Sequence, residues 1–128
     1  MEKVLEFLKE ARPCFVTTVD GDEPRVRPQG FHMEYDGKLC FCTADGKASS
    51  KELKKNPNIE VAAANGTKFI RIRGKAVFLG EDACAKALEI MPALAQMVQP
   101  GKFEVFAVEA AKAVIADLAT GEKEEICL

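Results

Sequence analysis

Arg25, Arg27 and Gln29 recur at every second position of Pro24-Arg25-Val26-Arg27-Pro28-Gln29. In an extended strand alternate side chains share a face. Two guanidiniums and a carboxamide would therefore stand in one row, with Val26 and Pro28 opposite. A guanidinium presents its donors in a fixed planar fork, which suits phosphates and planar anions. A second group lies at Lys47-Ala48-Ser49-Ser50-Lys51. A helix starting there would offer unpaired N–H groups and the positive end of its dipole, and so attract phosphate. Lysines stand where acidic side chains normally favour a first turn, and two hydroxyls add donors. Both segments also have ordinary readings. Charge protects an edge strand from unwanted pairing, and a serine-led surface helix needs no ligand.

Other reactive residue types are sparse. His32 is the only histidine. Beside Phe31 in a strand its commoner role is structural, although histidine is the usual general acid–base. Cys40 and Cys42 would share a strand face and could be redox-active, but small buried thiols are commoner. The five cysteines are odd in number and lack C-x-x-C spacing, which suits reduced thiols in the cytoplasm better than disulfides or zinc. No paired carboxylates, Cys–His dyad or metal cluster stands out.

The elements that must position these groups follow from periodicity and turn signals. Val4, Leu5, Leu8 and Ala11 predict an amphipathic helix over 2–11, ended by Pro13. Cys14 to Val19 predicts a strand, Asp20-Gly21-Asp22 a turn, and the arginine strand then runs to about Tyr35. Asp36-Gly37 is a hairpin signal, and Lys38 to Thr43 returns as the next strand. Ser49 followed by Glu52 reads as a capping box, so a short helix is expected to begin near Ser49 and end before Pro57. Strands are expected at 59–64 and, after Asn65-Gly66, from Lys68 to Leu79. Gly74 within the latter marks a bulge or a close backbone approach. A helix at 81–98 is interrupted at Pro92, and Pro100-Gly101 turns the chain. Two strands follow at 103–108 and 113–118, with a short one at 123–127. The arginine strand, its hairpin and the Ser49 helix are consecutive, so both candidate groups can converge on one phosphate.

A chain of 128 residues with 48% hydrophobic and 30% charged side chains is expected to form one domain over 1–128. Its net charge of -2 argues against a general nucleic-acid binder. Charges at Glu2, Lys3, Glu6, Lys9 and Glu10 interrupt each early apolar run, so no signal peptide is expected. No window approaches the roughly 20 apolar residues of a membrane span. The balance points to a cytoplasmic protein with a local anion site, built as a compact mainly-β barrel with a few helices.

Several segments together resemble the FMN-binding split-barrel proteins related to pyridoxamine 5′-phosphate oxidase. They are Val16 to Gly21, Pro24-Arg25-Val26-Arg27-Pro28, Phe41-Cys42-Thr43, Gly46 to Leu53, and Phe69-Ile70-Arg71-Ile72-Arg73-Gly74. Within that family the chain looks most like the nitroimidazole-resistance branch. The resemblance implies a six-stranded antiparallel split barrel and a homodimer with FMN at the interface. By that likeness Arg25, Val26, Arg27 and Pro28 would line the ring and phosphate, and Cys42 and Thr43 would touch the flavin. Lys47, Ser49, Ser50 and Lys51 would hold the phosphate, and Phe69 would reach the flavin of a partner subunit. The expected activity is electron transfer from a reduced nicotinamide to a small acceptor such as a nitroaromatic compound, a quinone or oxygen. Alternatives are a non-catalytic flavin carrier, store or sensor, and a relative that binds haem, with His32 as axial ligand, or deazaflavin.

The chain departs from pyridoxamine phosphate oxidases in two places. It has Ala48-Ser49 where they carry an Arg-Lys pair, and it ends in Glu125-Ile126-Cys127-Leu128 without their Arg-x-His-type substrate motif. Pyridoxamine phosphate is therefore not the expected substrate.

Overall fold

The computed structural model describes residues 1–97 and 102–128, apart from the Met97 side chain. The Pro100-Gly101 turn lies outside them. In chain order the elements are α1 (Glu2–Glu10), β1 (Cys14–Asp20), β2 (Glu23–Gln29), β3 (Met33–Tyr35), β4 (Lys38–Ala44) and α2 (Ala48–Lys55). They continue as β5 (Asn58–Asn65), β6 (Lys68–Phe78), α3 (Glu81–Ile90), α4 (Leu94–Met97), β7 (Phe103–Asp117) and β8 (Lys123–Cys127). The described strand pairs are antiparallel. Their order is β2-β1-β5-β6-β7-β4-β3, with β8 added along β7. The fold is the expected mainly-β split barrel, but the described residues form eight strand segments where six were expected, because the arginine segment divides into β2 and β3 and β8 is added along β7.

Two strand boundaries differ from the sequence reading. The arginine strand stops at Gln29, where Gly30 to His32 break the ladder, and resumes as β3. The predicted strands at 103–108 and 113–118 are instead one 15-residue strand, β7. Its centre is bent by a bulge. Register slips between Arg73 and Lys75, and Ala110 adopts a φ of 50°. A Cβ on Gly74 would lie 2.6 Å from the Glu109 carbonyl oxygen, so glycine lets the two backbones meet. Glu109-Ala110-Ala111-Lys112 was therefore an irregularity inside a strand, not a connection.

One apolar cluster fills the barrel, with Leu39, Phe41, Val61, Ile70, Ile72 and Phe106 among its buried members. Val4 and Leu8 of α1 join it, which accounts for that helix's apolar stripe. A second cluster forms where α3 and α4 cover the far face of β4 and β7. Leu39 and Phe41 belong to the first cluster, Cys40 and Cys42 to the second. Strand β4 is thus buried on both faces, which is why Leu39-Cys40-Phe41-Cys42 reads as an unbroken apolar run. Doubly buried β4 is a fixed rail that carries Thr43 and the start of α2.

Candidate functional site

Strands β1, β2 and β4 and the start of α2 enclose a cavity of about 400 Å³. Its bed is apolar, with Val16, Leu53, Met91, Leu94 and Phe106. Its polar rim holds Arg12, Thr18, Arg27, Gln29, Thr43, Lys47 and Ser49. Register explains the polar wall. Strand β1 pairs with β2 so that Val16 faces Arg27 and Thr18 faces Arg25. Val16 and Thr18 alternate inward from β1, while Arg27 and Gln29 arch over from β2.

Arg27 is already engaged. Its Nη1 and Nη2 donate to Glu52 Oε1 and Oε2 at 3.0 and 3.1 Å. Thr18 Oγ1 donates to the same carboxylate at 2.6 Å and accepts from Arg27 at 3.1 Å. Arg27 holds the Glu52 carboxyl below its ordinary value, against the opposing effect of burial, and Thr18 assists. Glu52 is therefore a partner of Arg27, not the second half of a capping box. Helix α2 begins one residue before Ser49, with Lys47 as N-cap and no side-chain cap bond. Ser49 Oγ instead meets Thr43 Oγ1 at 2.8 Å.

The start of α2 suits an anion. Its first turn holds no acidic residue, and among the described residues Lys47 makes no ion pair. Gln29 Nε2 donates to the Phe31 carbonyl at 3.3 Å and to Cys42 Sγ at 3.5 Å, which fixes its carboxamide at the rim.

The structure brings Arg27, Pro28, Cys42, Thr43, Lys47 and Ser49 to the cavity. It does not bring Arg25, Val26, Ser50, Lys51 or Phe69 there. Arg25 pairs with Asp20 and Glu23, each at 3.3 Å. Val26 points outward, 64% exposed. Ser50 is buried and donates to Glu104 at 2.6 Å, while Lys51 is exposed. Phe69 borders a separate outward concavity with Arg71, Arg73 and Lys112. The expected convergence of the arginine row on one phosphate is thus reduced to Arg27, and its charge is already paired.

His32 is not among the lining residues. It is half-buried, and burial, with Arg12 nearby, lowers its pKa while a hydrogen bond with the Leu5 backbone opposes the shift. Burial pushes the thiols of Cys14, Cys40 and Cys42 up to about 11, which leaves them protonated at neutral pH. Cys42 therefore contributes to the cavity wall as a small apolar group.

Sequence reasoning missed Arg12, Thr18, Glu52, Met91, Leu94 and Phe106. Thr18 sat in a segment already read as a strand, but only the diagonal reach of Arg27 across the β1–β2 ladder brings the two within 3.1 Å. No sequence signal marked Glu52 except the spacing that suggested a cap.

The residues fit FMN in kind. A ring can lie on the apolar bed, and a phosphate can meet Lys47, the hydroxyl pair and the open helix start. The cavity volume lies near the lower end of small-molecule sites, so part of such a ligand would stay uncovered by one chain.

Residues 1–115 match the family model described as pyridoxamine 5′-phosphate oxidase. No curated protein matches the chain. Among solved structures, a NimC/NimA family protein from Clostridium acetobutylicum is 34% identical with a TM-score of 0.90, over 100% of this chain and 92% of that one. A pyridoxamine 5′-phosphate oxidase-related, FMN-binding protein from Nostoc punctiforme is 13% identical with a TM-score of 0.66, over 99% and 95%. A heme-binding protein from Mycobacterium smegmatis is 14% identical with a TM-score of 0.73, over 94% of this chain and 55% of that one. At those last two identities the likeness speaks for the fold alone. The family match across most of the chain, joined to the split barrel, establishes that this protein belongs to the pyridoxamine 5′-phosphate oxidase family, on the side of its NimC/NimA relatives.

Proposed function

We propose that the protein binds FMN in the Arg27–Lys47 cavity and passes electrons from a reduced nicotinamide to a small acceptor, such as a nitroaromatic compound, a quinone or oxygen. The observation that carries this reading is the cavity itself. An apolar bed ends at an unpaired lysine and an uncapped helix start. The FMN-binding relative from Nostoc punctiforme adds support. When bound, the flavin supplies the two-electron chemistry, and the protein's part is binding, orientation and electrostatics.

Each lining group then has a role. Lys47, Ser49 and Thr43 hold the phosphate, while Val16, Leu53, Leu94 and Phe106 bed the ring and exclude water from one of its faces. Arg27 and Gln29 offer donors to polar ring atoms. No acid or base is required of the protein.

A second copy of the chain completes the site. Phe15 and Val26 are 46% and 64% exposed, and with Phe69 they lie on the outward face of the sheet. Burying those side chains against a partner would bring Phe69 toward the partner's flavin. The free cysteines suit a reducing cytoplasm, and no helix among the described residues is long and apolar enough to cross a membrane.

Steady-state oxidation of reduced nicotinamide by FMN-loaded protein, with a nitroaromatic acceptor, tests the enzymatic reading. A rate well above that of free FMN supports it. Tight FMN binding with no such rate would leave a carrier, store or sensor. Histidine-ligated haem is disfavoured by the position of His32, and a Soret band lost on His32→Ala would reverse that preference.

A further inference from the structure

The contact between Arg27 and Glu52 goes beyond what phosphate binding needs. Glu52 is only 8% exposed and accepts three hydrogen bonds, two from Arg27 and one from Thr18. Thr18 also accepts from Arg27, so β1, β2 and α2 are tied by one closed ring of side chains. Of the guanidinium's five N–H donors, three are thereby occupied and two remain. Arg27 still lines the cavity, with 36% of its side chain exposed.

We propose that Glu52 is a positioning residue: it clamps Arg27 along the cavity wall and cancels its charge, so that Arg27 presents directed donors to the flavin ring without acting as a free cation. The proposal rests on the FMN reading above. Two observations lead to it. First, a long arginine at a cavity wall would sample many rotamers, and the bidentate fork removes that freedom. Second, the charge balance changes. With Arg27 cancelled, Arg12 and Lys47 are the cations of the lining without a carboxylate partner among the described residues, and Lys47 stands at the helix start where the phosphate is placed. Negative charge gained by the ring on reduction would then meet a weaker positive field than a lone Arg27 would exert.

Glu52→Gln preserves shape and most hydrogen bonding but removes the cancelling charge. Dissociation constants for oxidised and reduced FMN, measured anaerobically at about pH 8, would be compared for wild type, Glu52→Gln, Arg27→Met and the double variant. Glu52→Gln is expected to shift the oxidised-to-reduced ratio at least tenfold in favour of reduced FMN, about 30 mV for a two-electron couple. Arg27→Met leaves the carboxylate unopposed and is expected to shift the ratio the other way. The double variant should return to near the wild-type ratio, because neither charge remains.

A merely structural clamp would lower thermal stability and weaken both redox forms alike. An unchanged ratio in Glu52→Gln would therefore overturn the proposal. Should that variant not fold, Arg27→Met carries the test, and an unchanged ratio there is equally fatal. If wild-type protein binds neither form of FMN, the functional reading itself fails. The clamp is then read in ligand-free protein from the Arg27 side-chain N–H resonances. Slow exchange in wild type that is lost in Glu52→Gln supports it, and fast exchange in wild type overturns it.

Discussion

Arg27 and Glu52 meet fork to fork across β2 and α2, at 3.0 and 3.1 Å, with Thr18 closing the third side at 2.6 Å from the carboxylate. The pair makes stability depend on pH. Arg27 depresses the folded-state pKa of Glu52 below its ordinary 4.5. Its contribution is therefore present above that value and lost as pH falls through the lower, folded-state pKa. Urea unfolding of wild type and Glu52→Gln at several pH values checks this. The stability gap should be widest above the ordinary carboxylate value and narrow as pH falls below it. A gap that stays constant would mean the carboxylate contributes nothing through its charge.

Lys47 and Arg25 should behave differently toward the phosphate. Lys47 is unpaired at the cavity end of α2, whereas Arg25 is held by Asp20 and Glu23 away from the lining. Lys47→Ala is expected to cost FMN about 1.5–3 kcal/mol, the range for a charged hydrogen bond, while riboflavin binding barely changes. Arg25→Ala should leave both ligands nearly unaffected. Parallel titrations followed by flavin fluorescence distinguish the two residues, and equal losses of FMN and riboflavin in Lys47→Ala would move the phosphate elsewhere.

Gly74 is a strict requirement of the bend in β7. A methyl group there would meet the Glu109 carbonyl at 2.6 Å and Val108 Cγ1 at 2.7 Å. Gly74→Ala should destabilise the fold by about 1–3 kcal/mol or more through overpacking, visible as a lower thermal midpoint. A midpoint equal to wild type would show that the two strands can separate without cost.

Thiol chemistry should spare the cavity. Cys14, Cys40 and Cys42 are buried, with pKa values pushed up to about 11. Alkylation of native protein at neutral pH, mapped by peptide mass spectrometry, should therefore miss all three until denaturant is added. Rapid native labelling of Cys42 would instead mark it as reactive, and would revive a redox role at the cavity wall.

Much of this architecture was legible from local signals. Asp36 and Gly37 both take positive φ, 52° and 76°, as a tight hairpin turn demands. The irregularity at Gly74 was visible as a glycine inside an alternating strand. Its partner at Ala110 was not, because alanine gives no hint of positive φ and the neighbouring charges resemble a turn. The candidate site was legible only in outline. Alternation placed Arg25, Arg27 and Gln29 on one face, but the partner of each arginine depends on the β1–β2 register and on where α2 lands. Asp20 and Glu23 take Arg25, and Glu52 takes Arg27, so two arginines that look equivalent in the sequence have different surroundings. Glu52 was misassigned because its spacing from Ser49 satisfies a local rule, while a charge on a neighbouring strand offered a stronger partner.

The central claim is that the cavity between Arg27 and Lys47 takes FMN by its ring and its phosphate together. Calorimetric titration of cofactor-free protein with FMN, and separately with riboflavin, tests it most directly. Saturable FMN binding at one per chain is expected, with riboflavin at least tenfold weaker. No binding of either flavin, or equal affinity for the two, would contradict it.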